Sequence, residues 1–319
     1  MALIEPFMVK TSFGTSANKS VELEAKTGES LLVKDVIIRG SDDDYVLLEV
    51  DKTTVGFFRV DYHVFGSHLS IPRAYTKEEV DLRGVFAGGS VTLLSYMINK
   101  GWMRGYPVAE GQTFRVKPYT SGKKLNDVVI IYEKYDAGDI KSTDPNGTEA
   151  KEYVFVNYGK CDSDACATAD KEVSDCVTTE EFPDFPFGKT VPSKTTIDIL
   201  AILGSEVIKY TDASNYIYTK YLKMFKGRTC LFDADKRGLP FYAYKFSAIS
   251  AGTHFARGVS VIGNYTNYDR REPFVPPVPL SFKEGDELKI FISVEEVGGA
   301  CIGKDYLEIA LVEKVTVAE

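Results

Sequence analysis

His63 and His68 stand five residues apart in DYHVFGSHL, and the chain's third histidine, His254, lies far downstream in AGTHF. On a straight strand that spacing puts the first two imidazoles on opposite faces. A turn at Gly66 brings them together, with His254 as a third ligand, and such a trio suits a zinc-type centre. The simpler expectation is loop or interface histidines, and no metal or other cofactor. Cys161, Cys166 and Cys176 form a second group, spaced C-x4-C-x9-C, which is not a zinc-ribbon spacing. It fits one disulfide, a three-thiolate site completed from elsewhere, or, most simply, thiols in a surface loop. FDADKRG (Phe232 to Gly238) has the opening of a calcium loop, but its fifth position is Arg237 and its twelfth is Tyr244, where a bidentate Glu is required. It reads as a charged hairpin turn.

Catalytic signatures are missing. The chain has no Gly-x-Ser-x-Gly elbow, no phosphate-binding Gly-x4-Gly-Lys-Ser/Thr loop and no dinucleotide fingerprint after a strand. Two carboxylates at a suitable separation suffice for a glycosidase, but among 46 acidic residues nothing singles out a pair. Trp102, the sole tryptophan, and nearby Tyr106 form the one local candidate for an aromatic ligand platform. Asn18, Asn146 and Asn264 open glycosylation-type triplets, weak signals in the absence of a leader.

The net charge of −8 argues against a nucleic-acid surface, which needs a clustered basic field. No apolar run approaches the ~20 residues of a spanning helix. MALIEPFMVKTSF carries Glu5 within its apolar run and no basic leader, so no secretory signal is expected.

The elements that must carry these residues read as short strands. Ser20–Ala25, Ser30–Gly40, Asp44–Val50, Thr54–Val60, Thr113–Tyr119, Asp127–Tyr135, Glu152–Gly159 and Thr195–Leu203 are each rich in apolar, aromatic or β-branched residues and are separated by turn residues. One helix is expected in the first half. Ser90 caps it, Val91, Leu94, Met97 and Ile98 form its apolar stripe, and Gly101 ends it. Residues 160–193 are acidic, with Pro183, Pro186 and Pro192, and read as a connection without a core strand.

A repeat then emerges. EGQTFRVKPYTSGKKLNDVVIIYEK from Glu110 is echoed by EGDELKIFISVEEVGGACIGKDYLEIALVEK from Glu284, and the closing Glu133-Lys134 pair aligns with Glu313-Lys314. Farther back, the stretch from Val55 falls opposite that from Thr229, and the one from Asp43 near that from Ser214. Duplication predicts an all-β chain: a first sandwich over 1–159, a connection over 160–193 and a second sandwich over 194–319.

Two tandem antiparallel jelly-roll sandwiches, with a short helix inserted in a loop of the first, resemble the double jelly-roll major capsid proteins of icosahedral DNA viruses of bacteria or archaea. FPDFPFGKTVP (Phe182–Pro192) before the second sandwich and PVPLSFKEGDELKIFI (Pro277–Ile292) fit that architecture. The resemblance covers the whole chain and rests on no diagnostic motif. It implies a non-enzymatic structural subunit, made in the host cytoplasm, that forms homotrimers of pseudo-hexagonal outline and tiles a virion. Other capsid proteins or an inner membrane are the implied partners, and sequence-specific nucleic-acid binding is not. The apolar EPFMV and FPDFPF segments are expected at subunit contacts. The alternatives are a carbohydrate-binding surface or spike module and a bicupin-like metalloenzyme or glycan-cleaving enzyme.

Overall fold

The structure, a computed structural model, describes residues 3–13, 16–41, 45–59, 92–141, 152–161, 170–176, 190–204, 208–212, 215–231, 239–240, 274–299 and 308–318. These residues form antiparallel sheets and one short helix, divided into two compact units, the first extending to Phe155 and the second beginning at Val156.

In the first unit, β1 (Leu3–Phe13), β2 (Val21–Glu24), β3 (Glu29–Ser41), β4 (Tyr45–Val50), β5 (Thr53–Arg59), β6 (Tyr106–Val108), β7 (Thr113–Pro118) and β8 (Leu125–Asp136) make two four-stranded sheets, ordered β1-β8-β3-β6 and β2-β7-β4-β5. The pairs β1·β8, β2·β7, β3·β6 and β4·β5 nest inside one another, as in one long hairpin folded at β4–β5. Pairs β3·β8 and β4·β7 then close each sheet. Alternation decides the faces: β7 buries Phe114, Val116 and Pro118 and leaves Thr113, Arg115 and Lys117 half-exposed. Gly56 on β5 is glycine for want of room, since a Cβ there would sit 2.5 Å from the Tyr106 hydroxyl oxygen.

The helix, α1 (Leu93–Asn99), buries Leu93, Leu94 and Met97. Its N-cap is Thr92, not Ser90: the Thr92 hydroxyl oxygen accepts the Ser95 N–H at 3.0 Å. Gly101 ends it as expected, at φ +74°, with its own N–H bonded to Ile98 O and the Trp102 N–H to Met97 O.

The second unit contains β9 (Glu152–Cys161), β10 (Asp170–Cys176), β11 (Thr195–Gly204), β12 (Ile208–Asp212), β13 (Asn215–Lys226), β14 (Thr229–Cys230), β15 (Leu239–Pro240), β16 (Leu280–Lys283), β17 (Leu288–Val297) and β18 (Glu308–Val317). The strand order is β12-β13-β17-β10-β9-β18-β11-β16, with β14 and β15 also on β13. This run comprises two half-sheets joined by β10, which pairs with β17 through residues 170–172 and with β9 through 173–176. The nested scheme returns: β9·β18, β10·β17, β11·β16 and β13·β14 are the successive pairs, and β11·β18 and β13·β17 the closing ones. Strand β12 is an addition. Even the irregularities coincide, for β3 slips against β8 between Val33 and Asp35, and β11 against β18 between Ile199 and Ala201.

Two expectations are corrected. The boundary lies inside β9, near residue 155 rather than 159, because β9 bonds to β10 and β18 of the second unit. Residues 160–193 are not strand-free. DKEVSDC forms β10 despite its polar composition, because strands pair with it along both edges and Val173 is fully buried.

Candidate functional site

The repeated Glu-Gly has a geometric explanation. In the first unit Gly111, at φ +80°, donates its N–H to Ala25 O at 2.8 Å, and the Ala25 N–H returns to Gln112 O at 2.9 Å. The Glu110 carboxylate accepts the Gly28 N–H at 2.8 Å, and the Gln112 side-chain oxygen accepts the Ala109 N–H at 2.9 Å. In the second unit Gly285, at φ +82°, bonds to Val191 O at 3.1 Å, and the Val191 N–H to Asp286 O at 2.9 Å. The Glu284 carboxylate accepts the Lys194 N–H at 2.8 Å, and the Asp286 carboxylate the Lys283 N–H at 2.7 Å. The last strand closes each set: Ala137 N–H reaches Gly28 O at 3.2 Å, and Ala318 N–H reaches Lys194 O at 2.8 Å.

Each Glu-Gly is therefore a latch. It ties the turn before the seventh nested strand to the turn before the third, where Gly28 (φ +88°) and Lys194 (φ +59°) are both left-handed. Lysine pays a steric penalty there that glycine does not. The carboxylate bond to its N–H and the added Ser193 hydroxyl bond to Glu284 at 3.2 Å hold it in place. What recurs is a fold-determining contact, with no reactive group in it.

His63, His68, His254 and Cys166 lie outside the described residues. Cys161, on β9, is buried, and its Sγ donates to Lys171 O at 3.7 Å. Register places Cys161 opposite Val173 and Cys176 opposite Gly159, so the two are not a directly facing pair. Of the Trp102–Tyr106 pair, Tyr106 is buried and stacks on Phe114 at 6.2 Å between centroids. Trp102 is half-buried and meets Tyr96 edge-on at 5.8 Å. The amide oxygen of Asn18, in one of the sequon-like triplets, accepts the Gly122 N–H. Asn146 and Asn264 lie outside the described residues. Among the described residues no three His, Cys, Asp or Glu side chains are placed to hold a metal ion.

Two carboxyls that sequence reasoning passed over sit in the interior. Burial holds Asp35 above the usual aspartate range, while the Thr92 hydroxyl and the Val36 N–H, both donating to it, act against that shift. Thr92 thus bridges the helix cap to the β3 irregularity. Glu313, on β18 opposite Ile199, is fully buried. Burial pushes its carboxyl well above the ordinary range, opposed only by Asn157, its fully buried polar neighbour on β9. Neither oxygen of Glu313 has a hydrogen bond of ordinary geometry among the described residues. A raised carboxyl pKa often marks a general acid. Glu313, however, is sealed from solvent, and shallow depressions such as that lined by Lys226, Arg228, Thr229 and Asp286 do not reach it.

Surface apolar residues are concentrated. Of seven large hydrophobic side chains exposed among the described residues, four (Leu3, Ile4, Phe7 and Val9) lie on β1, and Val275 and Val278 belong to one Pro-rich stretch. Such clusters suit contact with another surface better than the turnover of a small molecule. Comparisons with protein-family models, with curated proteins and with solved structures find no match.

Proposed function

We propose that this protein is a structural capsid subunit of the double jelly-roll kind, which trimerises into a pseudo-hexagonal capsomer and assembles into a viral shell. The observation that carries the reading is the recurrence of one nested pairing scheme in both units. A ribbon of four nested pairs, rolled so that its sheets close through β3·β8 and β4·β7, is what two interlocked Greek keys produce, and it supports assigning a jelly roll to each unit. The twin latches support an internal duplication, because five backbone and side-chain bonds would otherwise have arisen twice at matching places.

Function follows from what duplication supplies. Three copies of a two-sandwich chain present six similar modules, which lets a threefold object pack in sixfold surroundings. The exposed apolar strand β1 and the Val275–Val278 stretch are surfaces for such packing. The Glu313 carboxyl is sealed from solvent, which suits a building role better than catalysis.

The test is the mass of the purified chain by light scattering, with negative-stain images of the same fractions. Particles of three times 35.4 kDa with hexagonal outline, or shell fragments, are expected. A monomer at all concentrations, forming no shells under crowding or divalent salt, overturns the reading and directs attention to a glycan-binding module.

A further inference from the structure

We propose that the outer edge of β1 is a docking surface for a second copy of this chain, whose own β1 adds antiparallel to it and joins two β1-β8-β3-β6 sheets across a two-fold axis. β1 ends its sheet order, and among the described residues no strand pairs with its outer side. An edge strand offers a row of unpaired N–H and C=O groups, and proteins ordinarily blunt such edges with short length, charges, Pro or bulges, of which β1 has Lys10 and, in its N-terminal half, Pro6 and the shifts around Glu5. β1 runs for 11 residues with Glu5 and Lys10 as its only charges, and Leu3, Ile4, Phe7 and Val9 are 45–65% exposed. Pro6 falls in the irregular part, between Glu5 and Met8; from Met8 to Phe13 the strand pairs with β8 without interruption. That run is ready to accept another strand.

The second unit shows what covers this position. Strand β9 is the counterpart of β1, since each pairs with the last strand of its unit. The outer edge of β9 is covered by β10, antiparallel, through Val173–Cys176. The counterpart of β10 in the first unit is β2, which pairs with β7 alone. One unit completes its edge within the chain, and in the other no described strand takes that place.

Charge and symmetry choose the occupant. An antiparallel copy set so that Glu5 faces Lys10 lays Met8–Ser12 of each strand along Leu3–Phe7 of the other; a parallel copy opposes like charges. Mutual addition of β1 satisfies two bare edges at once, whereas a strand from elsewhere leaves the donor's β1 uncovered. Four half-exposed side chains offer roughly 350 Å² of apolar surface per copy, about 700 Å² for the pair, so even with the paired backbone added the contact stays near the ~1,000 Å² floor of specific interfaces. The association is therefore concentration-dependent. Being two-fold, it is separate from the three-fold contact of the capsid assignment and does not depend on it.

The test uses the full-length chain in sedimentation velocity across nanomolar to high-micromolar concentrations, with amide hydrogen exchange over residues 8–13. Mass should double, from monomer to dimer or from trimer to paired trimers, as those amides become protected. Val9→Lys and, independently, Thr11→Lys should weaken this association at least tenfold with unchanged melting profiles, while Val278→Lys on the other exposed stretch leaves it intact. Equal association of wild type and both β1 variants would overturn the inference. So would trimers that never pair, a result that upholds the capsid reading alone. Flotation of unpaired wild-type protein, lost in Val9→Lys, with phosphatidylcholine vesicles would instead assign β1 to a lipid surface.

Discussion

Replacing Glu313 by Gln tests whether a neutral carboxylic acid is sealed in the second unit. The folded pKa is raised, so above the ordinary glutamate value of 4.5 the folded chain retains a proton that the unfolded chain releases. The sign follows. The native state binds more protons, so stability falls as pH rises from the unfolded pKa and levels off once the folded pKa is passed. The slope is about 1.4 kcal/mol per pH unit for one group. Gln has nearly the same shape and does not titrate. The gain of Glu313→Gln over wild type should therefore be near zero at pH 4, about 1.4 kcal/mol one unit above the unfolded pKa, and larger beyond. The assay is native-state hydrogen exchange of β18 and β11 amides from pH 4 to 8, corrected for intrinsic rates. Trp102 fluorescence is unsuitable, because the sole tryptophan belongs to the first unit. A pH-independent difference, or a loss of stability in Glu313→Gln at every pH, would refute the reasoning.

Other substitutions probe the rest of the framework. Gly56→Ala should destabilise the first unit by 2 kcal/mol or more, read by urea unfolding monitored at Trp102, because its Cβ meets the Tyr106 hydroxyl at 2.5 Å and Phe58 at 2.7 Å. Thr92→Val should cost about 1–2 kcal/mol, through the lost cap and the bond to Asp35, and Thr92→Ser should restore most of it in the same assay. Glu284→Ala should cost the second unit about 1–2 kcal/mol, with faster exchange at Lys194 and little change in the first unit. Adding Lys194→Gly to it should recover part of that loss, as the left-handed backbone no longer opposes a side chain.

Much of the fold was legible because strands announce themselves locally. YVLLEV, TFRVKP and LNDVVIIYEKYD are apolar or alternating runs bounded by turn residues, and they became β4, β7 and β8. Leu94, Met97 and Gly101 marked the helix, although the cap slipped from Ser90 to Thr92, whose hydroxyl is also held by Asp35, 57 positions away. In the sequence β1 shows only as an apolar start, since Pro6 and imperfect alternation obscure a strand that, among the described residues, has a partner on one edge alone. β10 was missed because its support lies in β9 and β17, not in its own composition.

The aligned Glu-Lys pairs separate the two levels most clearly. By sequence Glu313 matches Glu133. By register Glu313 lies opposite Ile199 and takes the place of Tyr132, which lies opposite Val33, while Lys314 takes the place of Glu133. A slip of one residue moves a side chain to the other face of a sheet, and here it carries a carboxyl from half-exposed surface to sealed core. A mainly β chain with a short helix in its first half and a recurring Glu-Gly hairpin can be read locally, because alternation, turn chemistry and glycine's left-handed freedom act over a few residues. Which strands share a sheet, that Tyr106 is core, that Glu313 is buried and that no described strand covers the outer edge of β1 are settled by long-range packing. Those outcomes depend on hydrogen-bonded partners far along the chain, and local pattern does not record them.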